Sequence, residues 1–143
     1  MRPVFPQKKL FLDTCILIYF LEGHIDFGQP AKRIFKQIEG GLVKAEMSVL
    51  TMTELLTGPY RKKDDLLTLE YHALLYHFPN LKIIDINLDI AVDAARIRFL
   101  YSYAVPDSLL LASALHRGAD LFITEDQKLY HFPELNISNL SQI

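Results

Sequence analysis

The sequence predicts a three-layer α/β domain, in which a central parallel sheet of four to five strands is covered by helices on both faces. Short apolar runs, typical of buried strands, alternate along the chain with longer segments of helical periodicity. Such alternation builds right-handed βαβ units. The 143 residues, of which 50% are hydrophobic and 22% are charged, fit a single globular domain over residues 1–143. In an open sheet of this kind, ligands bind beyond the carboxyl ends of the strands.

The first half of the chain reads as two strand–helix pairs with an extra helix between them. Gly40 and Gly41 end the extra helix, and Gly58 with Pro59 closes the last one. The predicted segments are a strand over 9–13, a helix over 15–21, a turn-rich stretch over 23–30, a helix over 31–39, a strand over 43–49 and a helix over 50–58.

The second half contains three helices and the remaining strands. The helix over 64–78 is apolar on most sides, so we expect it to be deeply buried or to face a partner. Asn87 caps the next helix, and a third helix begins at Pro106 and Asp107. The inward stripe of the Asn87 helix is Ile90, Ala94, Ile97 and Tyr101. The predicted strands cover 81–86, 120–124 and 135–137.

Composition argues for a reducing, cytoplasmic setting. Cys15 is the only cysteine and cannot form an internal disulfide. The longest uncharged run, 71–81, is too short to cross a membrane, and the N-terminus lacks the pattern of a signal peptide. The net charge of -2 does not indicate a nucleic-acid binder. Basic clusters such as Arg61-Lys62-Lys63 are either solvated faces or local phosphate contacts.

Four carboxylates are predicted to meet at the carboxyl edge of the sheet. Asp13 ends the first strand, and Glu54 lies one helical turn after the second. Asp107 opens a helix, and Asp126 follows the fourth strand. Asp107 is the only charged residue within 99–115, an apolar stretch in which an unpaired charge is costly.

Each of these acids also has a purely structural interpretation as a helix cap. Helices in this architecture begin at the same edge, so capping acids gather there in any case. The motifs that fit a cap or a helix start are Thr51-x-x-Glu54, Pro106-Asp107 and Thr124-x-x-Gln127.

Capping does not explain why four acids converge, because they would repel one another without compensation. No cationic side chain lies within three residues of Glu54 or Asp107, so the compensating charge comes from distant sequence or from a bound metal. Ligands that are all oxygen favour Mg²⁺ or Mn²⁺, which share their remaining positions with waters and substrate phosphates. This arrangement is typical of metal-assisted phosphodiester hydrolysis.

Other chemistry is less well supported by the residues. The five histidines show no metal-ligand spacing, and no glycine-rich phosphate loop is present. Cys15, within Cys-Ile-Leu-Ile, reads as core rather than as a nucleophile. The start Phe-Leu-Asp13-Thr-Cys15 suggests an aspartyl-nucleophile phosphatase, but Cys15 occupies the place of the second aspartate that such enzymes need.

Four motifs occur in order along nearly the whole chain. They are Leu12-Asp13-Thr14, Ser48-x-x-Thr51-x-x-Glu54-Leu-x-x-Gly58, Asp107-Ser-Leu-Leu-Leu-Ala-Ser-Ala-Leu115-x-x-Gly118-Ala-Asp-Leu and Ile123-Thr124-x-Asp126. Each motif alone is degenerate. Together they resemble the PIN-domain nucleases, and in particular the small VapC toxins of VapBC toxin–antitoxin pairs.

The resemblance implies a PIN-like (Rossmann-like) α/β/α domain and an endoribonuclease that depends on Mg²⁺ or Mn²⁺. It also implies a homodimer and an antitoxin partner that blocks the site and binds operator DNA through another domain. Glu125 stands where an Asn is common, which leaves open whether Glu125 or Asp126 points inward, and we favour Asp126. The family also includes RNA-processing members without toxicity. The implied acidic quartet is Asp13, Glu54, Asp107 and Asp126, supported by the hydroxyls of Thr14 and Thr124.

Our leading hypothesis is therefore a metal-dependent endoribonuclease, the toxin of a type II toxin–antitoxin system. Asp13, Asp107 and Asp126 would bind the first metal, and Glu54 would assist a second ion or the attacking water. The helix over 64–78, with the first helices, is the candidate dimer or antitoxin surface. The alternatives are a non-catalytic binding module whose acids are only caps, a PIN nuclease in RNA processing and, third, a phosphatase. The candidate phosphate contacts are Arg61, Lys62 and Lys63.

Overall fold

A five-stranded, fully parallel sheet lies between two layers of helices in the computed structural model, which describes residues 8–142. The three-layer α/β prediction is confirmed. The strands are β1 (Lys9–Leu12), β2 (Lys44–Ser48), β3 (Leu81–Ile84), β4 (Leu121–Ile123) and β5 (Ile137–Ser138). The α-helices are α1 (Thr14–Glu22), α2 (Gly28–Glu39), α3 (Val49–Arg61), α4 (Asp65–Tyr76), α5 (Leu88–Tyr101) and α6 (Val105–His116), and two 3₁₀ helices cover Gln127–Leu129 and Leu140–Gln142.

The strand order β3-β2-β1-β4-β5 places β1 at the centre. The chain builds outward from β1 through β2 to β3, and then crosses back to place β4 on the other side of β1. Leu12 at the end of β1 stands in register with Ile123 at the end of β4. The gap beyond these two strand ends is the topological switch point, where open α/β sheets bind their ligands.

Successive residues of β1 serve two separate hydrophobic cores because strand side chains alternate between the two faces. Leu10 and Leu12 pack on one face against the layer that contains α1 and α2. Phe11 packs on the other face, beneath α5 and α6, and its ring stacks on that of Phe122 at a centroid distance of 6.0 Å. Both faces are covered, which explains why this strand is apolar throughout.

The predicted end of α3 at Gly58 and Pro59 is wrong, because the helix runs on to Arg61 with Pro59 inside it. A proline removes one intrahelical donor, but the following turn still closes. The Lys62 N–H donates to the Gly58 carbonyl at 3.2 Å. The helix ends before Lys63, whose φ of 55° is left-handed.

The start of α2 lies three residues earlier than predicted, at Gly28, within the stretch expected to be a turn. Pro30 falls in the first turn, where its missing N–H costs no helical hydrogen bond. A side chain at Gly28 would meet the backbone of Gly23 at 3.0 Å, so the close approach of the two segments requires a glycine there.

The remaining helices follow the prediction in part. The inward face of α5 is confirmed, with Ile90, Ala94 and Ile97 all buried. Only Thr68 and Leu75 of α4 are buried, so most of its apolar residues face outward.

The strands are up to two residues shorter at either end than predicted, apart from β5, which is shifted toward the C-terminus. Within 8–142 the structure has no helix with the length and hydropathy of a membrane span.

Candidate active site

Asp13 lies at the carboxyl end of the central strand. Its backbone N–H donates to the Ile123 carbonyl at 3.0 Å, which ties the end of β1 to the end of β4. Both carboxylate oxygens accept hydrogen bonds, Oδ1 from the Thr14 N–H at 2.7 Å and Oδ2 from the Thr124 hydroxyl at 2.6 Å. Asp13 therefore caps α1 and is also fixed to the neighbouring strand.

The Asp13 side chain is held in a buried, electronegative environment. The residue is only 7% exposed, and this burial is the largest of the effects that leave its pKa above the ordinary value of 3.8. The hydrogen bonds from Thr124 and Thr14 lower the pKa, whereas the negative charges of Asp107 and Asp126 raise it. The three carboxylates are thus within electrostatic reach of one another.

Asp107 lies in the first turn of α6 and is half-buried. The helix begins at Val105, and Ala104 occupies its N-cap position. The Asp107 carboxylate accepts no hydrogen bond within the described part of the chain. The interpretation of Asp107 as a helix cap is therefore wrong. Burial is the main cause of its raised pKa, and the charges of Asp126 and Glu54 add to the effect. Among residues 8–142, only the charge of Lys128 lowers this pKa.

Asp126 and Glu125 are neighbours with different surroundings. Asp126 caps the 3₁₀ helix by accepting from the Lys128 N–H at 3.0 Å, and its own N–H donates to the Thr124 hydroxyl at 3.0 Å. The predicted cap formed by Thr124 is therefore wrong. Glu125 instead accepts from the Leu140 N–H at 2.6 Å and so is engaged with the C-terminal segment.

Glu54 is joined to Asp13 through the residue that follows Asp13 in sequence. The Thr14 hydroxyl donates to Glu54 Oε1 at 2.8 Å and lies 2.9 Å from the Thr51 hydroxyl. A hydroxyl has one proton to donate, so Thr51 must donate to Thr14. The predicted capping box is wrong, because Ser48 caps α3 and Thr51 is fully buried inside the helix.

Thr51 is the site residue that sequence reasoning missed. It belongs to the quoted motif, but we assigned it to a helix cap rather than to the acids. The sequence did indicate that Thr51 lies near the acids, because it precedes Glu54 by three residues and residues three apart lie on the same helix face.

The basic residues predicted to contact phosphate lie at the end of α3 and just beyond it. All three are exposed, and none forms an ion pair within residues 8–142. Their charges are not among those that shift the pKa of Asp13 or of Asp107. The three residues are Arg61, Lys62 and Lys63.

The acidic cluster fits a hard divalent cation by its chemistry. Its donors are all oxygens, and its mutual repulsion would be relieved by a positive ion. Across the described residues, no group of three or more His, Cys, Asp or Glu side chains is arranged to hold one metal ion. Mg²⁺ commonly keeps several waters and binds through one or two carboxylates. The acidic cluster therefore suits an ion that keeps part of its water shell.

Cys15 lies beside the cluster but is not activated. Its sulfur is 3.8 Å from Asp13 Oδ2 and 3.9 Å from the Thr124 hydroxyl. Burial, reinforced by the charge of Asp13, raises the pKa of the thiol to about 12. The thiol therefore stays protonated at neutral pH and is a poor nucleophile.

Comparison with protein families agrees with this architecture. The family model for the PIN domain matches residues 10–135. Because the match covers most of the chain, this protein belongs to the PIN-domain family. No curated protein matches the sequence.

Solved structures of toxin–antitoxin proteins share the fold. A toxin–antitoxin complex from Klebsiella pneumoniae matches with a TM-score of 0.71 and 22% identity, over 92% of this chain and 97% of that chain. VapBC2 from Rickettsia felis, bound to a DNA fragment from its promoter, matches with a TM-score of 0.74 and 18% identity, over 92% of this chain and 98% of that chain. VapC20 from Mycobacterium tuberculosis, a toxin that cleaves the sarcin–ricin loop, matches with a TM-score of 0.68 and 15% identity, over 89% of this chain and 98% of that chain.

Proposed function

We propose that this protein is a metal-dependent endoribonuclease that acts through Asp13, Glu54, Asp107 and Asp126. The observation that carries the proposal is the convergence of these acids, from four separate segments, at the switch point of the sheet. Lys128 is the only cation that lowers the pKa of Asp107 among the described residues. Membership in the PIN family supports the same activity.

Asp13, Asp107 and Asp126 are the proposed holders of Mg²⁺ or Mn²⁺, one or two of them directly and the remainder through bound water. The ion, when bound, supplies the positive charge that activates a water and stabilises the phosphate under attack. The hydrogen bonds from Thr14 and Thr124 favour the ionised form of Asp13, which is the form that binds a cation.

Glu54 has a different proposed role because it is exposed and is oriented by the Thr14 hydroxyl. It would accept a proton from the attacking water or help to hold a second ion. Asp126, rather than Glu125, is the proposed fourth acid, because Glu125 already accepts from the Leu140 backbone. The exposed Arg61, Lys62 and Lys63 remain the candidate contacts for RNA phosphates.

The nuclease proposal is tested by incubating the purified protein with structured RNA in Mg²⁺, in Mn²⁺ and in chelator. We expect cleavage only with metal, and its loss in Asp13→Asn and Asp107→Asn. Asp26→Asn is the matched control, because Asp26 lies in an exposed loop and its carboxylate accepts no hydrogen bond within the described chain. Cleavage in chelator, or equal cleavage by all variants, would overturn the metal mechanism. A protein that cleaves no RNA at all would favour the non-catalytic binding module.

An antitoxin is the proposed protein partner, and the cytoplasm is the proposed site of action. Support for the partner comes from the toxin–antitoxin complexes among the structural neighbours. We propose α4 as its surface, supported by the exposed side chains of Leu66, Leu69, Leu74 and Tyr76. A second copy of the chain and an RNA are the other proposed partners.

The toxin role is separated from a role in RNA processing by expression in a growing bacterial host. A toxin should arrest growth when expressed alone, and Asp13→Asn should not. Normal growth despite cleavage of RNA in vitro would favour the processing role.

A further inference from the structure

Three aromatic side chains pack together near the acidic cluster. Tyr101 is the last residue of α5, Tyr103 lies in the loop before α6, and Phe132 follows the first 3₁₀ helix. The ring centroids of Tyr101 and Tyr103 are 6.1 Å apart, with 26° between the ring planes. Phe132 meets both rings edge to face, at 5.1 Å from Tyr101 and 6.1 Å from Tyr103. The three rings therefore form one packed unit, the aromatic platform.

The aromatic platform lies between the chain segments that carry Asp107 and Asp126. Tyr103 precedes Asp107 by four residues, and Asp107 is in the first turn of the helix that follows. Asp126 is connected to Phe132 by two successive turns, in which the Leu129 N–H donates to the Asp126 carbonyl and the Phe132 N–H donates to the Leu129 carbonyl. Because the Tyr103 ring contacts the Phe132 ring, it lies close to both segments.

The platform is held in place from its outer side. The Tyr101 hydroxyl donates to the Glu134 carboxylate at 2.7 Å, and the Arg96 guanidinium donates to the same carboxylate at 3.0 and 2.8 Å. Ser102, in the left-handed conformation with a φ of 61°, ends α5 and turns the chain into Tyr103. The rings are thus positioned before any ligand binds, which lowers the entropy cost of binding.

Tyr103 is the member of the platform that remains available to a ligand. Phe132 is buried, and the Tyr101 hydroxyl is already engaged. Tyr103 is only partly buried, and its hydroxyl makes no hydrogen bond within residues 8–142. Burial is the main cause of its raised pKa, and the charges of Asp107 and Asp126 raise that pKa further. The Tyr103 hydroxyl is therefore within electrostatic reach of both acids.

We propose that Tyr103 stacks on a base of the RNA, next to the phosphate that faces the acids. Ionised carboxylates are acceptors only and repel phosphates, so the four acids do not hold RNA by themselves. Aromatic rings bind unstacked bases of any sequence, because every base has a π-face. A stacking contact adds affinity beside the acids without a positive charge that would compete with the metal. The inference rests on the proposed function, because it takes RNA as the molecule that enters the site.

The stacking contact is tested by RNA binding to the full-length protein in chelator, where cleavage is not expected. The two probes are a short oligoadenylate and the same RNA with abasic nucleotides in place of its central adenosines. The parent protein should prefer the oligoadenylate about tenfold, the affinity expected for one stacked base. Tyr103→Leu should bind the oligoadenylate about tenfold more weakly and lose the preference.

Two further variants separate the ring from its hydroxyl and from a general effect of tyrosines. Tyr103→Phe keeps the ring and should keep the preference of the parent. Tyr76→Leu removes an exposed tyrosine on α4 and is the matched control, with unchanged binding of both probes. A loss of preference in Tyr103→Phe as large as that in Tyr103→Leu would overturn the stacking role.

A purely structural role for Tyr103 gives a different result. Tyr103→Leu would then unfold at a lower temperature while its base preference stayed that of the parent, and this outcome would overturn the proposal. A second measurement needs no variant at Tyr103. The fluorescent base 2-aminopurine, placed at the centre of the oligoadenylate, should be quenched when the parent protein binds, because the base becomes stacked.

Failure of the inference and failure of the proposed function give distinct results. Equal affinity of the parent for the two probes, or unquenched 2-aminopurine in the complex, would overturn the stacking contact even if the protein cleaves RNA in Mg²⁺. A base preference that depends on Tyr103, in a protein that cleaves no RNA with any metal, would contradict the proposed nuclease and leave the stacking contact standing.

Discussion

The Thr124 hydroxyl donates a 2.6 Å hydrogen bond to Asp13 Oδ2, joining residues that are 111 positions apart in sequence. Thr124 is fully buried, and its hydroxyl also accepts from the Asp126 N–H. One hydroxyl thus connects the acid after β1 to the acid after β4. It holds the carboxylate of Asp13 and the backbone of Asp126, two of the proposed catalytic residues, on either side of the switch point.

Replacing Thr124 by valine should raise the pKa of Asp13, because a hydrogen bond that lowers this pKa is removed. The acid limb of the pH profile of cleavage should therefore move to higher pH, and activity at neutral pH should fall by about tenfold or more. Thr124→Ser keeps the hydroxyl and should restore the profile. An unshifted acid limb in the valine variant would contradict the assigned role.

Replacing Thr14 by valine should misorient Glu54 and leave the buried Thr51 hydroxyl without its acceptor. We expect a loss of about 1–3 kcal/mol in the free energy of unfolding, measured by denaturant titration. The cleavage rate should fall while RNA binding changes little. Thr14→Ser is the control, and an equal loss of rate in serine and valine variants would exclude the hydroxyl as the cause.

Asp126→Asn and Glu125→Gln separate the two neighbouring acids. Asp126→Asn should abolish cleavage and leave stability nearly unchanged. Glu125→Gln should retain cleavage and weaken the contact with the Leu140 N–H, at a cost of about 1 kcal/mol in the free energy of unfolding. The reverse pattern of activities would assign the fourth acid to Glu125.

Asp13→Asn should make metal-free protein more stable at neutral pH. The pKa of Asp13 is raised in the folded state, so the folded protein keeps this proton to higher pH than the unfolded chain. Stability is therefore lost as the pH rises from the ordinary value of 3.8 through the raised pKa. The difference in unfolding free energy between variant and parent, measured in chelator, should grow across that interval and then level off. A difference independent of pH would contradict this account.

Metal addition should stabilise the parent protein independently of any activity. At one hundred times the dissociation constant, bound Mn²⁺ or Mg²⁺ should add about 2.7 kcal/mol to the free energy of unfolding. A thermal-shift assay should show this increase in the parent and in Asp26→Asn, but not in Asp13→Asn or Asp107→Asn. Equal stabilisation of all four proteins would place the ion elsewhere.

The local hydrophobic pattern of the sequence was sufficient to predict most of the fold. The apolar runs of β1 and β4 and the inward stripe of α5 are visible in the sequence because they repeat over short distances. Pro59 misled the prediction of α3, since the loss of one donor was outweighed by the turn that continues through Lys62. The apolar pattern of α4 predicted either deep burial or a surface that faces a partner, and the structure shows a helix that is mostly exposed.

The sequence by itself determined the layer architecture and singled out the isolated acids, because hydrophobic periodicity and missing neighbouring charges are local properties. Only the tertiary structure decided which groups those acids contact. The bond from Thr14 to Glu54 and the bond from Thr124 to Asp13 cross between segments 40 and 111 residues apart. Such contacts depend on the order of the strands, and strand order is set by the packing of the whole sheet rather than by any one segment.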